Sequence, residues 1–158
     1  MARISLNDVG PEAYAAMFNL QKYVDAAALD HKLVELVKMR ASQINGCAYC
    51  LDLHSQDARA AGESEARLHV LAAWREAPYY SDRERAALAW TEAVTRVADT
   101  HVPDHVYEEA RKHFSEKELV DLTLAIVAIN GWNRLCVAFR VPAGTYKPAM
   151  ATSREGNR

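Results

Sequence analysis

A chain of 158 residues, half of them hydrophobic and 25% charged, with a formal net charge of -2, has the size and make-up of one ordinary globular domain. Folding at this length buries roughly 70% of the surface the unfolded chain exposes, so no covalent staple is needed. The near-neutral balance and the lack of a Lys/Arg-dense run exclude the electrostatic footprint of a binder of nucleic acid or anionic membrane, and neither is an expected partner.

The opening MARISLNDVGPEAY has no continuous apolar stretch suited to a leader. No sustained alternation marks a strand, and Ala, Leu, Glu and Arg dominate, which predicts an all-α single-domain helical bundle. Pro11 suits the start of a helix running to about Ala28, and Asp30 caps a second from His31 to about Ile44. Asn45 and Gly46 then break the chain. A third helix runs from Cys47 to Ala61 and stops at Gly62, and Ser64 opens a short fourth. Capping boxes at Ser81 to Glu84 and Ser115 to Glu118 each announce a long helix, with another near Pro103 to Phe114 between them.

The longest apolar run, Leu119 to Ile129, is too short to cross a bilayer and contains Asp121. It is apolar nearly all round, so it must be covered on every side, and in so small a chain that predicts a homo-oligomer. From Val141 onward Pro142, Gly144 and Pro148 end the helical pattern. The resulting plan is an N-terminal arm at residues 1–9, a helical domain at residues 10–141 and a C-terminal tail at residues 142–158. A cytoplasmic location is expected, where a disulfide is transient and catalytic rather than architectural.

The stretch NGCAYCLDLH, residues 45–54, holds two of the three cysteines and a histidine. If Cys47 opens a helix, Cys50 lies one turn on and His54 four residues further, all on one side. A helix N-terminus favours the thiolate, and a nearby imidazole can take its proton. One thiolate can then attack an oxidant while the second thiol resolves the intermediate into a disulfide. The zinc alternative has three ligands in the stretch where a structural site needs four; three plus water would make a catalytic site. Cys136 is distant in sequence and follows an apolar helix, so it reads as packing; a merely hydrophobic role for Cys47 and Cys50 is the plainest alternative. Redox chemistry is preferred, and no metal is expected.

The segment ELVKMRASQINGCAYCLDLH, Glu35 to His54, resembles the signature of the alkylhydroperoxidase D and carboxymuconolactone decarboxylase superfamily: a glutamate, a cysteine twelve positions on, then C-x-x-C-x-x-x-H. AINGWNRLCVAFR, Ala128 to Arg140, is similar to the closing helix of small relatives. The resemblance implies an all-helical trimer or hexamer with the motif at a subunit-lined site. It implies reduction of a hydroperoxide, with Cys50 as the attacking thiol, Cys47 as the resolving thiol that meets an external reductant, and Glu35 with His54 as a proton relay. No bound cofactor is expected; the reductant implied is a dithiol of lipoyl type on a partner protein.

Three features cut across the resemblance. Dipole reasoning favours Cys47, nearer the helix start, as the more acidic thiol. Helical geometry puts Glu35 with His31, Lys38 and Ser42, opposite the stripe Leu33, Leu36, Val37, Ala41 and Ile44, the position of a solvated charge. Tyr49 stands where some peroxidase relatives carry histidine, and a phenol with a pKa of about 10 does not replace imidazole as a base near neutrality. The remaining histidines, including His101 and His105 four apart, form no metal set, and Trp132 to Arg134 reads equally as pocket lining or as packing and an ion pair. A lyase acting on a small organic acid through Glu35 and His54 is the alternative activity, and a redox sensor the non-enzymatic one.

Overall fold

A computed structural model describes residues 2–148. It is built of helices α1 (Leu6–Val9), α2 (Pro11–Ala26), α3 (His31–Asn45), α4 (Ala48–Ala60), α5 (Glu65–His69), α6 (Asp82–Thr95), α7 (Val97–Thr100), α8 (Asp104–His113) and α9 (Glu116–Phe139), with a 3-10 turn at Leu71–Ala73. The bundle is all-α, as composition and periodicity predict. Asp30 caps α3 by accepting the Leu33 N–H, and both Ser-to-Glu capping boxes form, opening α6 and α9. Such caps act within one turn, so they operate as their local sequence dictates. The 3-10 turn and the short helices α1 and α7 have no counterpart in the predicted plan, because three or four residues are too few to display a helical period.

The apolar face of α3 is the hub. Leu33 and Val37 pack with Ala86, Ala87 and Trp90 of α6, Ala110 and Phe114 at the end of α8, and Leu119, Leu122 and Ile126 of α9. Leu36 and Met39 pack on the other side with Ala58 of α4, Leu68, Leu71, Trp74 and Leu88. Trp74 also donates its indole N–H to Glu92 at 2.9 Å, a carboxylate that accepts from Arg40 and Arg75 as well. This charged knot ties α3 and α6 to the segment after α5.

Helix α9 runs unbroken for 24 residues, well beyond the predicted Leu119 to Ile129 run, and is long and apolar enough to cross a membrane by those two measures alone. In this fold its polar groups are matched: Asp121 accepts from Tyr23 of α2 and from Lys117 one turn earlier in α9, Asn130 donates to Thr95 of α6, and Asn133 donates to Ser42 of α3. Gly131 lets α2 lie close, since a Cβ there would sit 2.8 Å from the Met17 methyl. The C-terminal segment is not free of the bundle. The Gly144 N–H donates to Asp52 at 2.8 Å and the Tyr146 hydroxyl to Asp57 at 2.7 Å, which lays residues 141–147 along α4. The rest of the expected tail, residues 149–158, lies outside the described residues.

Candidate active site

The site begins where α3 ends and α4 starts. Gly46 takes the left-handed conformation at φ 66°, its N–H bonding the Gln43 carbonyl while the Cys47 N–H bonds the Ser42 carbonyl at 3.0 Å. This is a Schellman ending that calls for glycine. The next residue reverses role: Cys47 is the N-cap of α4, and its Sγ accepts the Cys50 N–H at 3.3 Å. A sulfur used as a helix cap sits against unpaired backbone donors, which is where a thiolate is most stable.

Cys47, Cys50 and Cys136 are all free thiols, and their Sγ atoms lie within 4.8 Å of one another. The expected packing role for Cys136 is thus incomplete. Helix α9 delivers it to the pair, with its register set one turn earlier by asparagines. Asn45 donates to both Asn130 and Asn133 at 2.9 Å, and Asn133 in turn donates to Ser42 at 3.0 Å. Hydrogen bonds from Cys136, then from the Cys50 thiol and N–H and from Asn133, outweigh burial and hold the Cys47 thiol near a pKa of about 3. Hydrogen bonding to Cys136, then to Cys47, together with burial pushes the Cys50 thiol up, and hydrogen bonding to Cys47 pushes Cys136 up to about 12. Resting charge therefore sits on Cys47, in line with the dipole argument rather than with ionisation of Cys50.

The ultraviolet absorbance of thiolate is expected to show one charge per folded chain from neutrality down to about pH 4, below the usual thiol range of about 8.5, and none in Cys47→Ser over the same range. A wild-type thiolate signal that vanishes below pH 7 would contradict this arrangement.

Glu35 corrects the prediction of a solvated charge. It is 1% exposed, covered by α4, whose His54 presents Nδ1 to Glu35 Oε2 at 2.8 Å, while Lys38 donates to Oε1 at 2.9 Å. Lys38 and Ser42 of the same face are buried as well. Burial is the largest single influence on Glu35 and would raise its pKa, yet His54 and Lys38 together hold it at about 2. An ionised carboxylate only accepts, so Nδ1 of His54 is the donor and Nε2 is left to carry or release a proton. Asp57 brings a carboxylate within 4.8 Å of Glu35 and His54, but its partner is Tyr146, whose own ionisation is pushed up to about 12 by burial and this hydrogen bond. The ligand set Cys47, Cys50 and His54 weighed for zinc is divided: the sulfurs gather with Cys136, and the imidazole is committed to Glu35.

Above these groups opens a cavity of about 750 Å³ between α2, α3, α4 and α9. Tyr14, Phe18, Leu53, Trp132, Leu135 and Phe139 give it apolar and aromatic walls, and Glu35, His54, Cys50 and Cys136 line its reactive side. Trp132 meets Tyr14 edge to face at 5.7 Å, so of the two readings offered for Trp132 the lining one applies, while Arg134 bonds within α9 to Asn130. Tyr49 borders the same cavity, its hydroxyl kept protonated by burial and by the neighbouring sulfurs.

Residues 11–93 match the carboxymuconolactone decarboxylase family. The chain belongs to this family. Among curated relatives, the uncharacterized protein YdfG of Bacillus subtilis is 42% identical over 136 residues, covering 86% of this chain and 92% of YdfG. The uncharacterized protein YnjA of Escherichia coli is 33% identical over 115 residues, covering 73% of this chain and 63% of YnjA. A crystal structure from Agrobacterium tumefaciens, a protein of unknown function suggested to be the antioxidant defence protein AhpD, superposes with a TM-score of 0.90 at 44% identity, covering 92% of this chain and 100% of that one. The debrominase Bmp8 shares the fold at a TM-score of 0.77 and 23% identity, over 85% of this chain and 73% of Bmp8. Family and fold are those that Glu35 to His54 resemble.

Within this family member, Lys38, Asp57, Asn133, Cys136 and Tyr146 are the site-forming residues that sequence reasoning passes over. Asn133 and Cys136 lie in the segment matched to the closing helix of small relatives, and their spacing of three on one helix is the signal that pairs them.

Proposed function

We propose that this carboxymuconolactone decarboxylase family member is a thiol-dependent peroxidase reducing organic hydroperoxides through Cys50 and Cys47, with Glu35 and His54 moving the proton. The observation that carries the reading is one cavity wall holding a thiol of a C-x-x-C pair beside an ionised carboxylate and imidazole. Of the pair, Cys50 borders the cavity, so it is the sulfur a peroxide meets. Its proton passes to the Cys47 thiolate behind it, and the Cys50 thiolate attacks the outer peroxide oxygen. The O–O bond breaks, Cys50 becomes a sulfenic acid, and the departing alkoxide takes the proton held at Nε2 of His54. The Cys47 thiol then attacks the Cys50 sulfur and releases water. Counting the Cys47 thiolate and the proton on His54 together as one thiol, the balance is ROOH plus two thiols giving ROH, water and a disulfide, which an external dithiol of lipoyl type, carried by a partner in the cytoplasm, reduces again.

Titration with one equivalent of an organic hydroperoxide such as cumene hydroperoxide is expected to consume two thiols per chain and yield one equivalent of the alcohol. Survival of all three thiols after this treatment would sink the reading. One observation favours a lyase as the second reading: the Glu35 and His54 pair is complete without the sulfurs. In that case substitution of either residue removes activity on a small organic acid while Cys47→Ser leaves it intact.

We infer also that the working form is a homo-oligomer, a trimer or hexamer. Val120 and Val127, seven residues apart on one side of α9, are exposed, as is Phe18 of α2 at the cavity rim; this supports a second copy covering the apolar face. Val127→Glu is expected to lower the mass found by light scattering while helicity is kept. A wild-type chain that is monomeric at micromolar concentration would overturn it.

A further inference from the structure

The third sulfur has no part in a two-cysteine cycle, yet it satisfies two conditions that Cys47 does not satisfy together. Cys136 lies within 4.8 Å of Cys50 and borders the cavity alongside it. Cys47 has the reach but is 1% exposed, and no part of it borders the cavity. A disulfide between Cys47 and Cys50 therefore shows the cavity only one of its sulfurs, whereas one between Cys50 and Cys136 shows both. The asparagine ladder from Asn45 to Asn133 holds α9 in the register that brings Cys136 there.

Resting on the peroxidase reading, we propose that Cys136 is a third redox partner of the site, which resolves oxidised Cys50 through a disulfide joining α4 to α9 and thereby presents the oxidising equivalent to the external dithiol. Two routes lead to it. In the first, the Cys136 thiol attacks sulfenic Cys50, forming the S–S bond as the hydroxyl leaves with the thiol proton as water. In the second, Cys136 attacks Cys50 in the Cys47–Cys50 disulfide, the old S–S bond breaks, Cys47 leaves as the thiolate, and the Cys136 proton is released to water. No further oxidant is needed in the second route, because a disulfide is only relocated. Cys47 is a better leaving group than Cys136, since its thiolate keeps the Cys50 N–H as a donor after the exchange.

The chain offers a direct readout. Trypsin cleavage after Arg40, Arg59, Arg134 and Arg140 puts Cys47 and Cys50 on one peptide, residues 41–59, and Cys136 on another, residues 135–140. The Cys47→Ser variant, oxidised with one equivalent of cumene hydroperoxide, is expected to lose both remaining thiols and yield the two peptides joined by a disulfide. Cys47→Ser/Cys136→Ser is expected to stop at a Cys50 sulfenic acid trapped by dimedone, with linkage abolished. Cys47→Ser that also stops at the dimedone adduct, with Cys136 free, would overturn the proposal. A parallel oxidation with diamide, which needs no peroxidase activity, separates the two claims. Joined peptides from diamide but no reaction with hydroperoxide would leave the three-thiol exchange standing and remove the peroxidase reading; no joined peptides under diamide, from Cys47→Ser or from the wild-type chain, would remove the exchange itself.

Discussion

Replacing Cys50 by serine is expected to lower kcat/KM for an organic hydroperoxide by at least about a thousandfold, the equivalent of about 4 kcal/mol of transition-state stabilisation. The size follows from position. Cys50 alone of the C-x-x-C pair borders the cavity, and both disulfides open to the site include it. A serine hydroxyl has nearly the same shape, so the fold is kept, but it is neither acidic nor polarisable enough to displace an alkoxide from a peroxide oxygen. Cys47→Ser should be milder, because Cys136 can still resolve the intermediate. Stopped-flow measurement of hydroperoxide loss, with dihydrolipoamide as reductant, checks both; equal rates for wild type and Cys50→Ser would end the thiol mechanism.

The second large effect is on stability. Glu35→Gln is expected to destabilise the chain by about 3 kcal/mol, because it leaves Lys38, itself buried, without a counter-charge. Adding Lys38→Met should return most of that loss, since replacing both members of a buried pair by groups of similar volume is far less costly than removing one. Activity should not return with it: the carboxylate that holds Nδ1 of His54 would still be missing. Urea unfolding of the single and double variants reads the first effect and turnover the second. Were Glu35→Gln as stable as wild type, the buried pair would not be the support described.

The same carboxylate sets a pH dependence. Its folded pKa of about 2 lies below the ordinary 4.5, so the unfolded chain binds its proton first as pH falls. The contribution of Glu35 is complete above about pH 4.5 and is lost as pH drops from there through the folded value. A displacement of this size corresponds to about 3 kcal/mol. Between pH 5 and pH 3 the wild type should therefore lose stability more steeply than the Glu35→Gln, Lys38→Met double variant.

Much of the fold is written in short-range chemistry. Pro11, Asp30, Gly46, Ser81 and Ser115 each act on donors or acceptors within one turn of themselves, and the helices start or stop where these residues stand. The C-x-x-C-x-x-x-H spacing is legible for the same reason, because one helix brings Cys50 and His54 to one side without help from the rest of the chain. The family resemblance singles out Glu35, but its burial was not legible in the helical pattern. Periodicity identifies the face of α3 that carries it as polar, but a face covered by another helix with matching polar groups has the same pattern as one covered by water. The partners His54 and Lys38, rather than the period, decide which it is.

The sequence by itself determined the helical class, the punctuation of the longer helices and the dithiol motif with its imidazole, since all of these depend on residues a few positions apart. The tertiary structure alone decided that Glu35 is buried and paired, that residues 141–147 close on α4, and that Cys136 joins a pair 86 positions away. These are contacts between distant helices, fixed by how the apolar face of α3 seats α6 and α9 and by an asparagine ladder whose members bond only after the chain has closed. Side-chain chemistry sets which groups can react; the packing of α9 on α3 sets which of them meet.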